Sequence, residues 1–177
     1  MRILNYLKFK LMPMSNYPEY LRKIGAKVGN DCEIYKSVSF GSEPYLIEIG
    51  NHVRLNANVV LSTHDGGCWV LRGLAGKYGN EFSNVDSFGK IIIEDNVHIA
   101  HGVIVLPGVR IGKNSIIGCG AVVTHDIPAN SVAAGVPARV IESIDEYASK
   151  IKKKCDYTKS YSEEEKRQYL MKKYFNK

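Results

Sequence analysis

Branched aliphatic residues recur at every sixth position from Ile93: Ile93, Ile99, Val105, Ile111, Ile117 and Val123. Four residues after each stand Val97, Val103, Val109, Ser115, Ala121 and Ile127, a second column of mostly small or β-branched side chains. A period of six is neither helical nor that of a lone strand, which alternates without punctuation. Here the short β-branched runs are cut by Glu94-Asp95-Asn96, Pro107-Gly108, Gly112-Lys113-Asn114 and Gly118-Cys119-Gly120. Each unit predicts one short strand and one corner, and three units make a triangular coil whose inward column stacks on the next coil. The aliphatic column is therefore a core.

Upstream, the columns continue through Val28, Ile34 and Phe40 with Cys32 and Val38, then through Ile49, Leu55 and Leu61 with Val53 and Val59. The count gains three residues at Ser42-Glu43-Pro44, read as an insertion at a corner. From His64 to Lys90 the repeat lapses into a stretch with six glycines, Trp69, Tyr78 and Phe82, which predicts an arm projecting from one corner. Before the repeats, Ile3, Leu4, Leu7 and Leu11 share one helical face, and Asn16-Tyr17-Pro18-Glu19 opens a short helix ending near Gly25. After them, Ile141, Ile144, Ala148 and Ile151 follow helical spacing and predict an amphipathic helix over the solenoid's open end. Ser162-x-x-Glu165 is a capping box for a last helix. The expected organisation is a helical cap over 1–24, an all-β solenoid over 25–141 with a projecting loop at 64–90, and C-terminal helices over 142–177.

A length of 177 residues suits one domain with a substantial core. The net charge of +6 speaks first to a solvated surface, and no basic stripe interleaved with aromatics points to nucleic acid. Cys32, Cys68, Cys119 and Cys155 lie far apart with no Cys-x-x-Cys pair, which fits a reducing cytoplasm rather than a disulfide framework. The first twelve residues are too short and polar for a membrane span or a secretion signal. Their apolar face and basic residues are compatible with a peripheral contact at the inner face of a membrane.

The run Ile116-Ile117-Gly118-Cys119-Gly120-Ala121-Val122-Val123-Thr124-His125-Asp126-Ile127-Pro128, followed by Ala133-Ala134-Gly135-Val136-Pro137-Ala138-Arg139-Val140-Ile141, resembles the end of the β-helix of hexapeptide-repeat acyltransferases. Ser62-Thr63-His64-Asp65-Gly66-Gly67 resembles, more narrowly, the branch that acetylates sugars of capsules and surface polysaccharides, related to the xenobiotic acetyltransferases. The resemblance implies a left-handed parallel β-helix, a homotrimer with active sites between subunits, and acetyl-coenzyme A as donor with no metal. The acceptor it implies is a sugar, free, nucleotide-linked or lipid-linked. N-acetylation of a nucleotide-linked amino sugar and a non-catalytic binding solenoid are the alternatives.

Acyl transfer to a hydroxyl needs a base, and histidine is the natural one near neutrality. Of the five histidines, His64 opens the arm and matches the base of this branch. Asp65 either orients the imidazole or forms the turn before Gly66-Gly67. His101 is the alternative base, although it falls one residue before the histidine position of the maltose and galactoside acetyltransferases, and such a slip turns a strand side chain to the other face. His52 and His98 read as surface or packing residues. A zinc site of the γ-carbonic anhydrase kind would use His101, but Leu106 stands where a second ligand is needed. The resemblance assigns coenzyme A to Gly120, Ala121, Thr124 and Arg139. For the acceptor it suggests Asn56 and Asn58, which equally suit solenoid corners. Trp69 either stacks on a pyranose or anchors the arm.

Overall fold

The computed structural model describes residues 11–175. The expected helical face of Ile3, Leu4 and Leu7 lies outside these residues. Helix α1 (Tyr17–Lys23) starts on Pro18, buries Tyr17 and Leu21, and ends on basic residues. Arg22 then donates to the carbonyls of Val28 and Gly29, tying the helix to the first coil.

The strands are β1 (Lys27–Val28), β2 (Glu33–Ile34), β3 (Ile47–Ile49), β4 (Arg54–Leu55) and β5 (Val60–Leu61), then β6 (Ile91–Ile93), β7 (His98–Ile99) and β8 (Ile104–Val105). β9 (Arg110–Ile111), β10 (Ile116–Ile117) and β11 (Val122–Val123) complete the repeats, followed by β12 (Ser131–Ala134) and β13 (Arg139–Ser143). They form three sheets: β1-β3-β6-β9, β2-β4-β7-β10-β12-β13, and β5-β8-β11. All pairings are parallel except β12 with β13. Paired residues such as Ile92 and Arg110, or Ile104 and Val122, lie 18 positions apart, which is three six-residue units. Across the Ser42-Glu43-Pro44 insertion the step becomes 21, as in Lys27 with Glu48, and across the arm it becomes 44, as in Val60 with Ile104. Insertions of three and 26 residues thus leave every inward residue in register.

Every member of the aliphatic column from Val28 to Val123 is buried. In the partner column Ser115 is buried as well, and its hydroxyl donates to the carbonyls of Lys113 and Pro128. Cys32 is only partly buried. The corners use left-handed backbone, as the expected role of asparagine there requires: Asn58, Asn96, Asn114 and Asn130 all have φ between 56° and 61°.

The arm contains two short helices, α2 (Cys68–Gly73) and α3 (Ala75–Tyr78). The helix expected from Ile141 instead begins at Ile144, as α4 (Ile144–Lys152), because Arg139–Ser143 form β13 and turn back along β12. Ile141 belongs to that strand, so its helical spacing from Ile144 was coincidental. Residues 146–177 make a second compact unit. Within it, α5 (Glu163–Tyr174) opens on the Ser162/Glu165 capping box, and Tyr169 and Lys173 both hold the Asp156 carboxylate. No helix of the described residues is long and apolar enough to cross a membrane.

Candidate active site

The register of the third sheet distributes the candidate residues over two edges of the solenoid, where the chain enters the sheet's strands and where it leaves them. Asn56 and Asn58 lie where the chain enters this sheet between β4 and β5, His101 between β7 and β8, and Gly120 between β10 and β11. Backbone bonds from Gly102 to Ala57 and from Gly120 to His101 stack these corners directly. His64 lies where the chain leaves β5, and Thr124 leaves β11 two coils further on. His64 and His101 therefore lie at opposite ends of the strands of one sheet.

At the exit edge, Thr63 is fully buried while His64 is exposed. The imidazole Nδ1 is 3.0 Å from Oε2 of Glu43, and the Thr63 hydroxyl donates to the same oxygen at 2.7 Å. Glu43 comes from the three-residue insertion one coil earlier, 21 positions before His64, the same step that pairs Lys27 with Glu48. Hydrogen bonds from Ser42, Thr63 and His64 pull the Glu43 carboxyl down to about 2, so it is a carboxylate throughout the neutral range. A carboxylate acceptor makes Nδ1 the protonated nitrogen and leaves Nε2 as the basic one.

Asp65 does not hold this ring: its Oδ1 accepts the Gly67 N–H at 2.8 Å and closes the turn that follows. Trp69 is exposed on α2. The aromatic ring beside the imidazole belongs to Phe88, with centroids 6.4 Å apart and planes at 70°. Sequence reasoning missed Glu43 and Phe88. The spacing of one coil between Glu43 and His64 was a usable signal once the insertion was counted into the register; Phe88 had none.

At the entry edge, Gly120 is exposed with φ of 66°, and a Cβ there would meet nothing within 4 Å. Ala121 is buried in the core column. His101 is exposed and uses its carbonyl to accept the Gly120 N–H. Asn58, one coil before Gly102, adopts the left-handed corner conformation, while Asn56 is half-buried. Beyond β11, Thr124 Oγ1 lies 2.8 Å from His125 Nδ1, and His125, Asp126 and Arg139 border a hollow of about 310 Å³. His98 is pushed below the ordinary histidine value by burial and then by the charge of Arg54, which favours a neutral packing residue. His52 Nδ1 bonds Asn96 at a different corner. Among the described residues, no three of His, Cys, Asp and Glu gather as a metal site.

Residues 90–125 match the family described as bacterial transferase hexapeptide (six repeats). Over 171 residues, covering 95% of this chain and 95% of its relative, the sequence is 44% identical to Protein CapG of Staphylococcus aureus. The chain belongs to the hexapeptide-repeat acyltransferases. This transferase is also 39% identical over 150 residues to the galactoside O-acetyltransferase of Lactococcus lactis, covering 72% of this chain and 68% of that one. Its fold matches a galactoside acetyltransferase solved in complex with coenzyme A, with a TM-score of 0.55 and 31% identity over 81% of this chain and 78% of that one.

Proposed function

We propose that the transferase moves an acetyl group from acetyl-coenzyme A to a carbohydrate hydroxyl, with His64 as general base, during assembly of a surface polysaccharide. The observation that carries this reading is the pairing of His64 Nδ1 with the Glu43 carboxylate. Nε2 takes the proton as the hydroxyl oxygen attacks, and Glu43 stabilises the imidazolium that forms. Acetyl-coenzyme A supplies the acyl carbon as a thioester. His64 then returns its proton to the departing sulfur, so the base is regenerated without a covalent enzyme intermediate. Galactoside acetyltransferases among the relatives support a sugar as acceptor.

The residues of this chain suit coenzyme A. Gly120 leaves an open ledge where an extended pantetheine arm can approach peptide groups, and Arg139 offers a phosphate the planar fork that suits it. Asp126 in the same hollow spends Oδ1 on the Arg110 N–H. The ledge and the base lie at opposite edges of the third sheet, whose outward row of Val60, Ile104 and Val122 is apolar. This arrangement supports a trimer of left-handed solenoids in which the ledge of one subunit meets the base of the next.

Purified protein with acetyl-coenzyme A and a panel of sugars, amino sugars and nucleotide sugars tests the reading. The product is expected to be an alkali-labile O-acetyl ester. A stable amide, formed only on amino sugars, would overturn it.

A further inference from the structure

The arm leaves the solenoid at His64 and returns at Phe88, and the two residues face each other in an antiparallel bridge. Asp65 N–H donates to Ser87 O at 2.9 Å, and Gly89 N–H donates to Thr63 O at 2.8 Å. Hydrogen bonds that flank a pair in this way define the narrow, non-hydrogen-bonded type, in which the two side chains stand close together on one face. Phe88 is thus directed to the same side as the base. Its backbone is held from below as well, because Gly89 presses on Gly108 so closely that any Cβ at 89 would collide with the Gly108 backbone. Despite this fixed backbone, the Phe88 side chain remains 55% exposed.

A large apolar ring presented to solvent by rigid backbone beside a general base is a recognition surface rather than core. The chemistry that fits it has an apolar face and hydroxyls around its rim. A pyranose satisfies both requirements: its C–H face lies on an aromatic ring while a rim hydroxyl reaches sideways. We infer that Phe88 is the platform for the acceptor's sugar ring, setting which rim hydroxyl meets Nε2 of His64. The inference rests on the sugar O-acetyltransferase reading and adds the residue that orients the acceptor.

Ligand-observed saturation-transfer NMR with methyl glucopyranoside, galactopyranoside and mannopyranoside, in the presence of coenzyme A, tests it on wild type, Phe88→Ala and Phe88→Trp. Wild type is expected to transfer saturation to ring C–H protons of at least one glycoside. Phe88→Ala should weaken that binding about tenfold, as loss of an aromatic contact does, and Phe88→Trp should keep it. In turnover, the alanine variant should raise KM for the same glycoside while KM for acetyl-coenzyme A stays unchanged. Equal binding by wild type and Phe88→Ala would overturn the platform without touching the base. Binding that depends on Phe88 without ester formation would keep the platform and overturn the O-acetyltransferase reading. No binding of any glycoside by wild type would overturn the platform.

Discussion

Glu43 reaches His64 because an insertion at a corner, one coil earlier, places a carboxylate 3.0 Å from the imidazole Nδ1. Of the two roles open to Asp65, orienting the imidazole or forming the following turn, the structure has the second: Asp65 spends its oxygen on the Gly67 N–H. His64 was legible as a candidate from its position at the mouth of the arm; Glu43 beside it was not, since the pairing exists only after the coils stack. Glu43→Gln keeps the size and removes the charge, so kcat should fall by about a hundredfold with KM for acetyl-coenzyme A unchanged. Unchanged kcat would mean that the carboxylate merely packs. The pH dependence follows from the same group. Its folded value of about 2 lies below the ordinary 4.5, so its stabilisation is complete above 4.5 and is lost as pH falls toward 2. The difference in thermal midpoint between wild type and Glu43→Gln should therefore narrow as pH falls below about 5.

At the scale of elements, the six-residue period was the most legible feature, because the inward positions are apolar where coils stack, with Ser115 the hydrogen-bonded exception in the partner column. The β12–β13 hairpin was illegible, because Ile141, Ile144 and Ala148 match helical spacing while only Ile144 and Ala148 lie in α4. One corner shows how polar residues hold the stack. His52 Nδ1 meets Asn96 Oδ1 at 2.8 Å, Asn96 Nδ2 donates to Asn114 Oδ1 at 2.9 Å, and Asn114 Nδ2 donates to Asn130 Oδ1 at 2.8 Å. All four residues have left-handed backbone. Asn96→Ala loses the ladder and strains the corner, costing about 2–3 kcal/mol, whereas Asn96→Gly loses only the ladder, costing about 1 kcal/mol. Thermal midpoints should fall in the order wild type, Asn96→Gly, Asn96→Ala. An alanine variant as stable as the glycine variant would remove the backbone strain from this account.

For the whole molecule, the central fact is the separation of His64 from Gly120 across the third sheet. Residues that the resemblance assigned to sites between subunits lie on two edges of a single chain, and periodicity alone could not reveal which edge each occupies, because edges are defined only by the register of stacked coils. In the proposed trimer, one subunit supplies His64 and the next supplies the ledge. Gly120→Asn should fold, since Asn58 already adopts left-handed backbone in the same column of corners and a Cβ at 120 meets no neighbour. Its amide should obstruct the ledge. The most direct measurement mixes subunits of His64→Ala, expected to lose about a hundredfold or more alone, with subunits of Gly120→Asn, at acetyl-coenzyme A well below its wild-type KM. Random reassembly into trimers gives about a quarter of the sites both an intact base and an intact ledge, so activity should recover to about a quarter of wild type. A mixture no more active than its parents, or a folded His64→Ala protein as active as wild type, would contradict the account.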